Sequence, residues 1–154
     1  MTKLLVVCLG VVLSLPVNET FSVADKIGTP PRTVYFRFST SITKYTIRYD
    51  GFVEVYVDND IGHKRKRTFF LNMAGKGRID RIYYLEHEGD LLLRYDVIDQ
   101  GSYVSRIEQT PRKQKWVTRL NTTSSQAPVI YGDRLIVADT IEISKSDGRI
   151  LRQG

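Results

Sequence analysis

Cysteine is almost absent from this sequence, because Cys8 is the single cysteine among 154 residues. It lies inside an apolar run near the N-terminus, so a chain that loses this run contains no cysteine. Such a chain has no disulfide framework, no thiol nucleophile and no cysteine-ligated metal site. Its fold must then depend on packing, hydrogen bonds and ion pairs.

Histidine and catalytic motifs are equally scarce. His63 and His87 are the two histidines, and the sequence has no glycine-rich phosphate loop, Gly-x-Ser-x-Gly elbow or His-Glu-x-x-His motif. His87 stands between Glu86 and Glu88, but side chains alternate along a strand, so His87 would point away from both carboxylates. We therefore expect no catalytic residue, no metal site, no cofactor and no enzymatic activity.

Long hydrophobic runs are limited to one, "LLVVCLGVVLSL" at residues 4–15. This run is shorter than the roughly 20 residues that a membrane-spanning helix needs. Lys3 precedes it, and Ser22-Val23-Ala24 offers the small residues of a cleavage site. The pattern predicts a signal peptide over residues 1–24 with cleavage after Ala24, export to the periplasm or the extracellular space, and no transmembrane span.

An amphipathic helical pattern is missing from the rest of the chain. Residues 25–32 are polar and contain Pro30-Pro31, which predicts a linker. Beyond them, short alternating segments rich in Val, Ile, Tyr and Phe predict a single all-β domain over 25–154, built from antiparallel meanders. A small β-sandwich or barrel is the alternative. Strands are predicted at 33–38, 44–49, 52–57, 67–71, 79–85, 91–97, 103–108, 116–120, 128–131, 135–138, 140–144 and 149–152.

A short motif recurs along these strands. "EGDLLLRYD" and "YGDRLIVAD" share a Gly-Asp hinge at Gly89 and Gly132, and "YDGFVEVYVD" is a weaker copy around Gly51. Glycine accepts positive φ, so each hinge is expected to reverse the chain between two strands. Spacing near 40 residues is typical of β-repeats. The predicted units lie near 33–78, 79–120 and 121–154.

The last unit, "APVIYGDRLIVADTIEISKSDGRILR" at 127–152, resembles the repeat of quinoprotein-type (pyrroloquinoline-quinone-like) β-propellers. Trp116 stands where that repeat has its closing Trp, whereas Arg112 and Arg152 replace a turn glycine and a Trp. The resemblance implies blade-like units, but three units are fewer than a closed propeller usually has. It therefore implies a partial propeller, an oligomer or a truncated relative. The residues with implied structural roles are Gly51, Gly89, Trp116, Gly132 and Gly148.

Positive charge is in excess, with 23 Lys and Arg against 17 Asp and Glu and a formal net charge of +6. It is densest in "HKRKR" (63–67) and "TPRKQKW" (110–116). These clusters predict binding to an anionic surface, although cations in hairpin loops also favour solubility and discourage edge pairing. Export argues against a nucleic acid partner. The candidate binding residues are Lys64, Arg65, Lys66, Arg67, Arg112, Lys113 and Lys115.

Two main functional hypotheses follow. The first is a non-catalytic exported repeat protein that acts as a binding or scaffold module for another macromolecule, through a protein partner or self-association. The second is a truncated or reduced relative of quinoprotein dehydrogenases, which hold their cofactor on the axis of a complete ring and use a catalytic Asp with a calcium ion. Asp96, Asp99 and Asp139 are the candidates for that role, and no motif selects one of them. A small secreted surface-interaction protein on a sandwich fold is a third possibility.

Overall fold

The regular secondary structure of the chain is all β. A computed structural model describes residues 18–41, 43–58, 64–109, 113–138 and 140–153, and confirms the predicted fold class. Within these ranges no helix is long and apolar enough to cross a membrane. The strands are β1 (Glu19–Thr20), β2 (Ser22–Val23), β3 (Asp25–Ile27), β4 (Tyr35–Ser39), β5 (Thr43–Arg48), β6 (Phe52–Asp58), β7 (Lys64–Phe70), β8 (Ile79–His87), β9 (Asp90–Val97), β10 (Gly101–Glu108), β11 (Gln114–Leu120), β12 (Val129–Tyr131), β13 (Arg134–Val137), β14 (Ile141–Ser144) and β15 (Ile150–Gln153).

The described strands form three antiparallel sheets of five strands each. Sheet I has the order β3-β4-β5-β6-β7, sheet II has β2-β8-β9-β10-β11, and sheet III has β1-β12-β13-β14-β15. Each sheet therefore consists of a four-stranded meander with one short strand added beside its first strand. All the added strands come from one continuous segment, Glu19–Ile27, which we call the strap.

The backbone of the strap passes from sheet to sheet along the surface of the protein. Between its strands, the Phe21 amide donates to the Pro128 carbonyl oxygen at 3.0 Å and the Ala24 amide donates to that of Ile82 at 2.9 Å. The side chains of Phe21 and Ala24 are buried. The sequence pattern predicted a leader over residues 1–24 and a linker over 25–32, so β1, β2 and β3 were not predicted. Cleavage after Ala24 stays a prediction, and it would remove β1 and β2.

Sheet II lies between the other two sheets and contributes side chains to both hydrophobic cores. Every residue of β9 is buried, because alternate side chains of this strand face opposite neighbours. Leu91, Leu93 and Tyr95 join the cluster shared with sheet I, while Leu92 joins the cluster shared with sheet III. A strand with two buried faces explains the almost continuous apolar run in "DLLLRYDV".

The glycine hinges do not occupy equivalent positions. Gly89 and Gly132 connect the first and second strands of their meanders, whereas Gly51 connects the second and third strands of sheet I. The prediction that Gly51 is equivalent to Gly89 and Gly132 is therefore wrong, because Gly51 lies one hairpin later in its meander. The equivalent connection of sheet I lies between β4 and β5, and the sequence there contains no glycine. An Asp-Gly pair suits any tight reversal, so it does not identify which hairpin of a meander it closes.

Candidate functional site

Sheets I and III are the ends of the stack, and each has an outer face that no other described residue covers. On sheet I, the strand register places Tyr35 beside Ile27, and Phe52 beside Phe70. The Phe52 and Phe70 rings are 5.1 Å apart, and the Arg48 guanidinium lies 5.0 Å from the centroid of Phe52. Phe70 is 61% exposed. We call Ile27, Tyr35, Arg48, Phe52 and Phe70 the apolar row.

A polar row runs beside the apolar row on the same face. Asp25 pairs with Arg37, Arg37 pairs with Thr46, and Thr46 pairs with Glu54 across successive strands. Together with Lys44 these residues line a cleft of about 1260 Å³. Tyr35 and Tyr56 lie beside this row on the outer face, whereas Phe38, Tyr45 and Tyr84 border the cleft where it meets the core between sheets I and II. The cleft therefore combines aromatic faces with charges of both signs.

A hydrogen-bond network holds the end of this cleft between sheets I and II. Gln109 Oε1 accepts from Thr40 Oγ1 and from the Tyr45 hydroxyl, each at 3.0 Å, and its Nε2 donates to Glu86 Oε2 at 3.2 Å. Ser41 donates its amide and its hydroxyl to the two oxygens of Glu86. Partial burial raises the pKa of Glu86, but these donors outweigh it and hold that pKa below the ordinary value. The network connects sheet I to sheet II at this end of the cleft.

Thr43 is the exception in this network. It lines the cleft, is only 2% exposed, and its Oγ1 has no hydrogen-bond partner among the described residues. A buried hydroxyl without a partner costs free energy, so Thr43 is an unfavourable position within the network.

The predicted basic cluster lies on β7, the outer edge strand of sheet I. Lys66 Nζ is 2.5 Å from Glu54 Oε2, and this hydrogen bond lowers the pKa of Glu54 and raises that of Lys66. Arg67 is exposed. Lys64 and Arg65 belong to the same strand, and their side chains lie outside the described part of the structure. Of this cluster, Arg67 thus offers a cation to a partner, while Lys66 is neutralised.

The second predicted cluster lies on sheet II and is not joined to the first. Lys115 Nζ is 2.8 Å from Asp90 Oδ2 and 3.8 Å from Glu108 Oε1, so its charge is used within the protein. Lys113 is exposed. Arg112 lies outside the described residues. Among the described residues of this cluster, Lys113 is exposed without an ion-pair partner, whereas Lys115 is exposed in part and paired.

Trp116 is half-buried and connects sheet II to sheet III. Its indole N–H donates to the Lys145 carbonyl oxygen at 3.1 Å, and its ring lies against Gly148. Trp116 contacts the turn between β14 and β15, so its role is packing between sheets.

Sequence reasoning missed a buried arginine. Arg94 is fully buried in β9, where Nε and Nη2 donate to the two oxygens of Asp96 at 3.0 and 3.1 Å. Its Nη1 donates to the Gln126 carbonyl oxygen at 2.8 Å, and Nη2 also donates to that of Ser124. The sequence signal for this residue is its charge within the apolar run of β9. Arg94 ties the connection between sheets II and III to the core.

Of the candidate aspartates, Asp96 has a structural position. Ser102 Oγ donates to Asp96 at 2.7 Å, so this carboxylate is saturated by Arg94 and Ser102. A polar cleft of about 740 Å³ lies beside it, lined in part by Asp99 and Arg119. Asp139 lies outside the described residues.

The expectation that His87 points away from both flanking carboxylates is wrong for Glu88, because Glu88 lies in the turn after β8 with φ of +52° and not on the strand. His87 Nδ1 lies 3.2 Å from Glu19, and Nε2 lies 3.1 Å from Lys145 Nζ and 3.3 Å from Glu88. Within the described ranges, no three His, Cys, Asp or Glu residues are grouped to hold a metal ion. His63 lies outside those ranges.

Comparison with known proteins identified no relative of this chain. No family model matches the chain, and no curated protein matches it. The resemblance to propeller repeats therefore stays a prediction, and the function must be argued from the surfaces of the molecule.

Proposed function

We propose that this protein is a non-catalytic, exported binding module that holds an acidic protein partner against the outer face of sheet I. The observation that carries the proposal is the exposed apolar row, in which Phe70 is 61% exposed. Contiguous apolar residues rimmed by polar ones mark interaction sites on protein surfaces. A blade-like stack would serve as the rigid scaffold, and the common strand order of the sheets supports that part of the proposal.

The composition of this face supports a protein partner. Aromatic residues and arginine are enriched at protein–protein interfaces and supply most of their binding free energy. Tyr35, Phe52 and Phe70 provide the aromatic area, and Arg48 lies over Phe52. Arg48 is also held by Asp50 at 2.6 Å, so its guanidinium is already oriented before a partner arrives.

The charges of the face support an acidic partner. Lys66 and Arg48 are neutralised by Glu54 and Asp50. Arg37 and Lys44 are exposed, and neither has an ion-pair partner in the part of the chain that the structure describes. These cations would attract an acidic surface over long range and set its orientation.

A charge-reversal experiment tests the proposal with poly-L-glutamate as the acidic polypeptide. We expect Arg37→Glu/Lys44→Glu to weaken binding by roughly tenfold at low salt. The matched control is Lys76→Glu/Arg149→Glu, which reverses two exposed cations outside this face and leaves the net charge of the two variants equal. The control should retain most of the affinity, and thermal unfolding should show that both variants are folded.

Two results would contradict the proposal. Equal losses in the two variants would mean that only net charge matters. Tighter binding of heparin or of anionic lipid vesicles than of poly-L-glutamate, lost with the same Arg37 and Lys44 changes, would replace the protein partner with a polysaccharide or a membrane surface.

A further inference from the structure

The first strands of the three meanders line up along one side of the molecule. Their edges would be unpaired without the strap, which pairs with β12, β8 and β4 in turn. Glu19 and Thr20 pair with Ile130 and Val129 of sheet III. The next strands of the strap continue the same antiparallel pairing on sheets II and I. Three separate edges therefore form one continuous groove for an extended segment.

Two strap side chains fill the gaps between the sheets. Phe21 belongs to the hydrophobic cluster between sheets II and III, and Ala24 belongs to the cluster between sheets I and II. The other strap side chains from Thr20 to Ile27 are exposed. The groove thus recognises backbone along its length, a bulky apolar side chain at one boundary and a small one at the next.

Each sheet holds only two or three strap residues in its ladder. Near the ends, Glu19 contacts His87 at 3.2 Å, and Lys26 contacts Asp80 at 3.0 Å on the surface. A surface ion pair such as that of Lys26 with Asp80 contributes little to stability. No single sheet retains the strap, so its binding depends on all the contacts together, with Phe21 as the largest apolar contribution.

We propose that the joined edges of β4, β8 and β12 are a strand-accepting groove for an extended peptide of another chain. The partner segment would carry a bulky apolar residue and, three positions later, a small apolar residue. Its other positions would accept many different side chains. The strap is the built-in occupant of this groove. Main-chain hydrogen bonds supply affinity and side-chain pockets supply specificity in this mode of recognition. Cleavage after Ala24 would vacate the part of the groove on sheets II and III.

The groove adjoins the outer face of sheet I, because Asp25 and Ile27 of the strap also belong to the polar and apolar rows. Its test is made on the full chain, measures binding of a strap peptide and does not involve Arg37 or Lys44. A specific protease site is inserted between Thr29 and Pro30, which are exposed between β3 and β4, and the folded protein is cut there. A fluorescein-labelled peptide with the sequence of residues 18–28 is then added, and its anisotropy is followed. The cut protein should bind the peptide, whereas the uncut protein should bind at least tenfold less because its own strap competes.

Peptide variants give the matched control. A peptide with Phe21→Ala should bind at least tenfold more weakly, and one with Val23→Ala should bind within about twofold, because Val23 is 57% exposed. Equal binding of these two variants would overturn the proposal. So would a cut protein that never exchanges its strap, or one that loses its β circular dichroism when the strap leaves, since the strap would then be only a structural part of the fold.

Discussion

The indole N–H of Trp116 donates a 3.1 Å hydrogen bond to the main-chain oxygen of Lys145, and the indole ring rests on Gly148 in the same turn. Thr118 Oγ1 donates to the Gly148 carbonyl oxygen beside it. The outer strand of sheet II is thereby fastened to the last hairpin of sheet III. Because Trp116 is the single Trp of the chain, its fluorescence reports on this junction directly.

Gly148→Ala should weaken this junction. Gly148 has φ of +77°, and a Cβ there would lie 2.6 Å from Trp116 Cδ2, so the ring must move. We expect a loss of roughly 1–3 kcal/mol in the free energy of unfolding and a red shift of the emission. Gly75→Ala is the control, since Gly75 also has positive φ, at +56°, but no atom lies within 4 Å of its added Cβ. Equal losses in urea unfolding of both variants would show that the indole contact contributes nothing.

Replacing the buried Arg94 should destabilise the protein strongly. Arg94→Met leaves the Asp96 carboxylate without its bidentate partner, and the carbonyl groups of Ser124 and Gln126 lose a donor. Removing one member of a buried ion pair costs roughly 3–5 kcal/mol. The control Arg134→Met removes an exposed pair, Arg134 with Glu142 at 2.8 Å, and should cost less than about 1 kcal/mol.

A double-mutant cycle completes that measurement by chemical denaturation. Arg94→Met/Asp96→Leu should cost less than the sum of its single changes, because the uncompensated charge is gone. Additive losses would mean that Arg94 and Asp96 are not coupled.

Stability should depend on pH through Asp90. Burial raises the pKa of Asp90, but hydrogen bonds from Lys115 and Arg106 outweigh it and hold the pKa below the ordinary value of about 4. A depressed folded-state pKa gives stability that is present above the unfolded-state pKa and is lost as pH falls through the folded-state value. Asp90→Asn should therefore destabilise the protein at pH 7, and its difference from wild type should shrink as pH falls below the ordinary carboxyl value of about 4.

The control for Asp90 is Asp133→Asn, whose side chain is 87% exposed. Thermal unfolding from pH 7 to pH 2 should show a constant, small difference for this variant. A difference between wild type and Asp90→Asn that does not shrink on acidification would contradict the assignment.

The meander strands were predictable from sequence, whereas the strap was not. Strands β4 to β15 alternate apolar and polar residues or form short apolar runs between turn residues, which are local signals. Strands of two or three residues carry no periodicity, and their pairing with distant edges depends on where the sheets lie. Strands β1 and β2 also lie within the predicted signal peptide, so their residues were interpreted as a leader and not as strands.

The candidate site was predictable only in part. Charge density identified β7, but the pairing of Lys66 with Glu54 depends on the register between β6 and β7. The exposure of Phe70 depends on sheet I being the end of the stack, which no local pattern encodes. The sequence also gave no sign that Lys115 would be neutralised by Asp90.

The strap should contribute to stability through one side chain. Phe21 is buried between sheets II and III, and Val23, two residues later, is 57% exposed. Both sit among the same strap hydrogen bonds, so Phe21→Ala and Val23→Ala differ mainly in the apolar area removed from the core. We expect Phe21→Ala to lower the free energy of unfolding by roughly 3–5 kcal/mol and Val23→Ala by less than about 0.5 kcal/mol. Urea unfolding of the full chain, followed by Trp116 emission, measures both, because Trp116 packs against the same cluster as Phe21. Similar values for the two variants would mean that the strap lies on the surface without filling the boundary between the sheets, and the groove would then lack its main determinant of specificity.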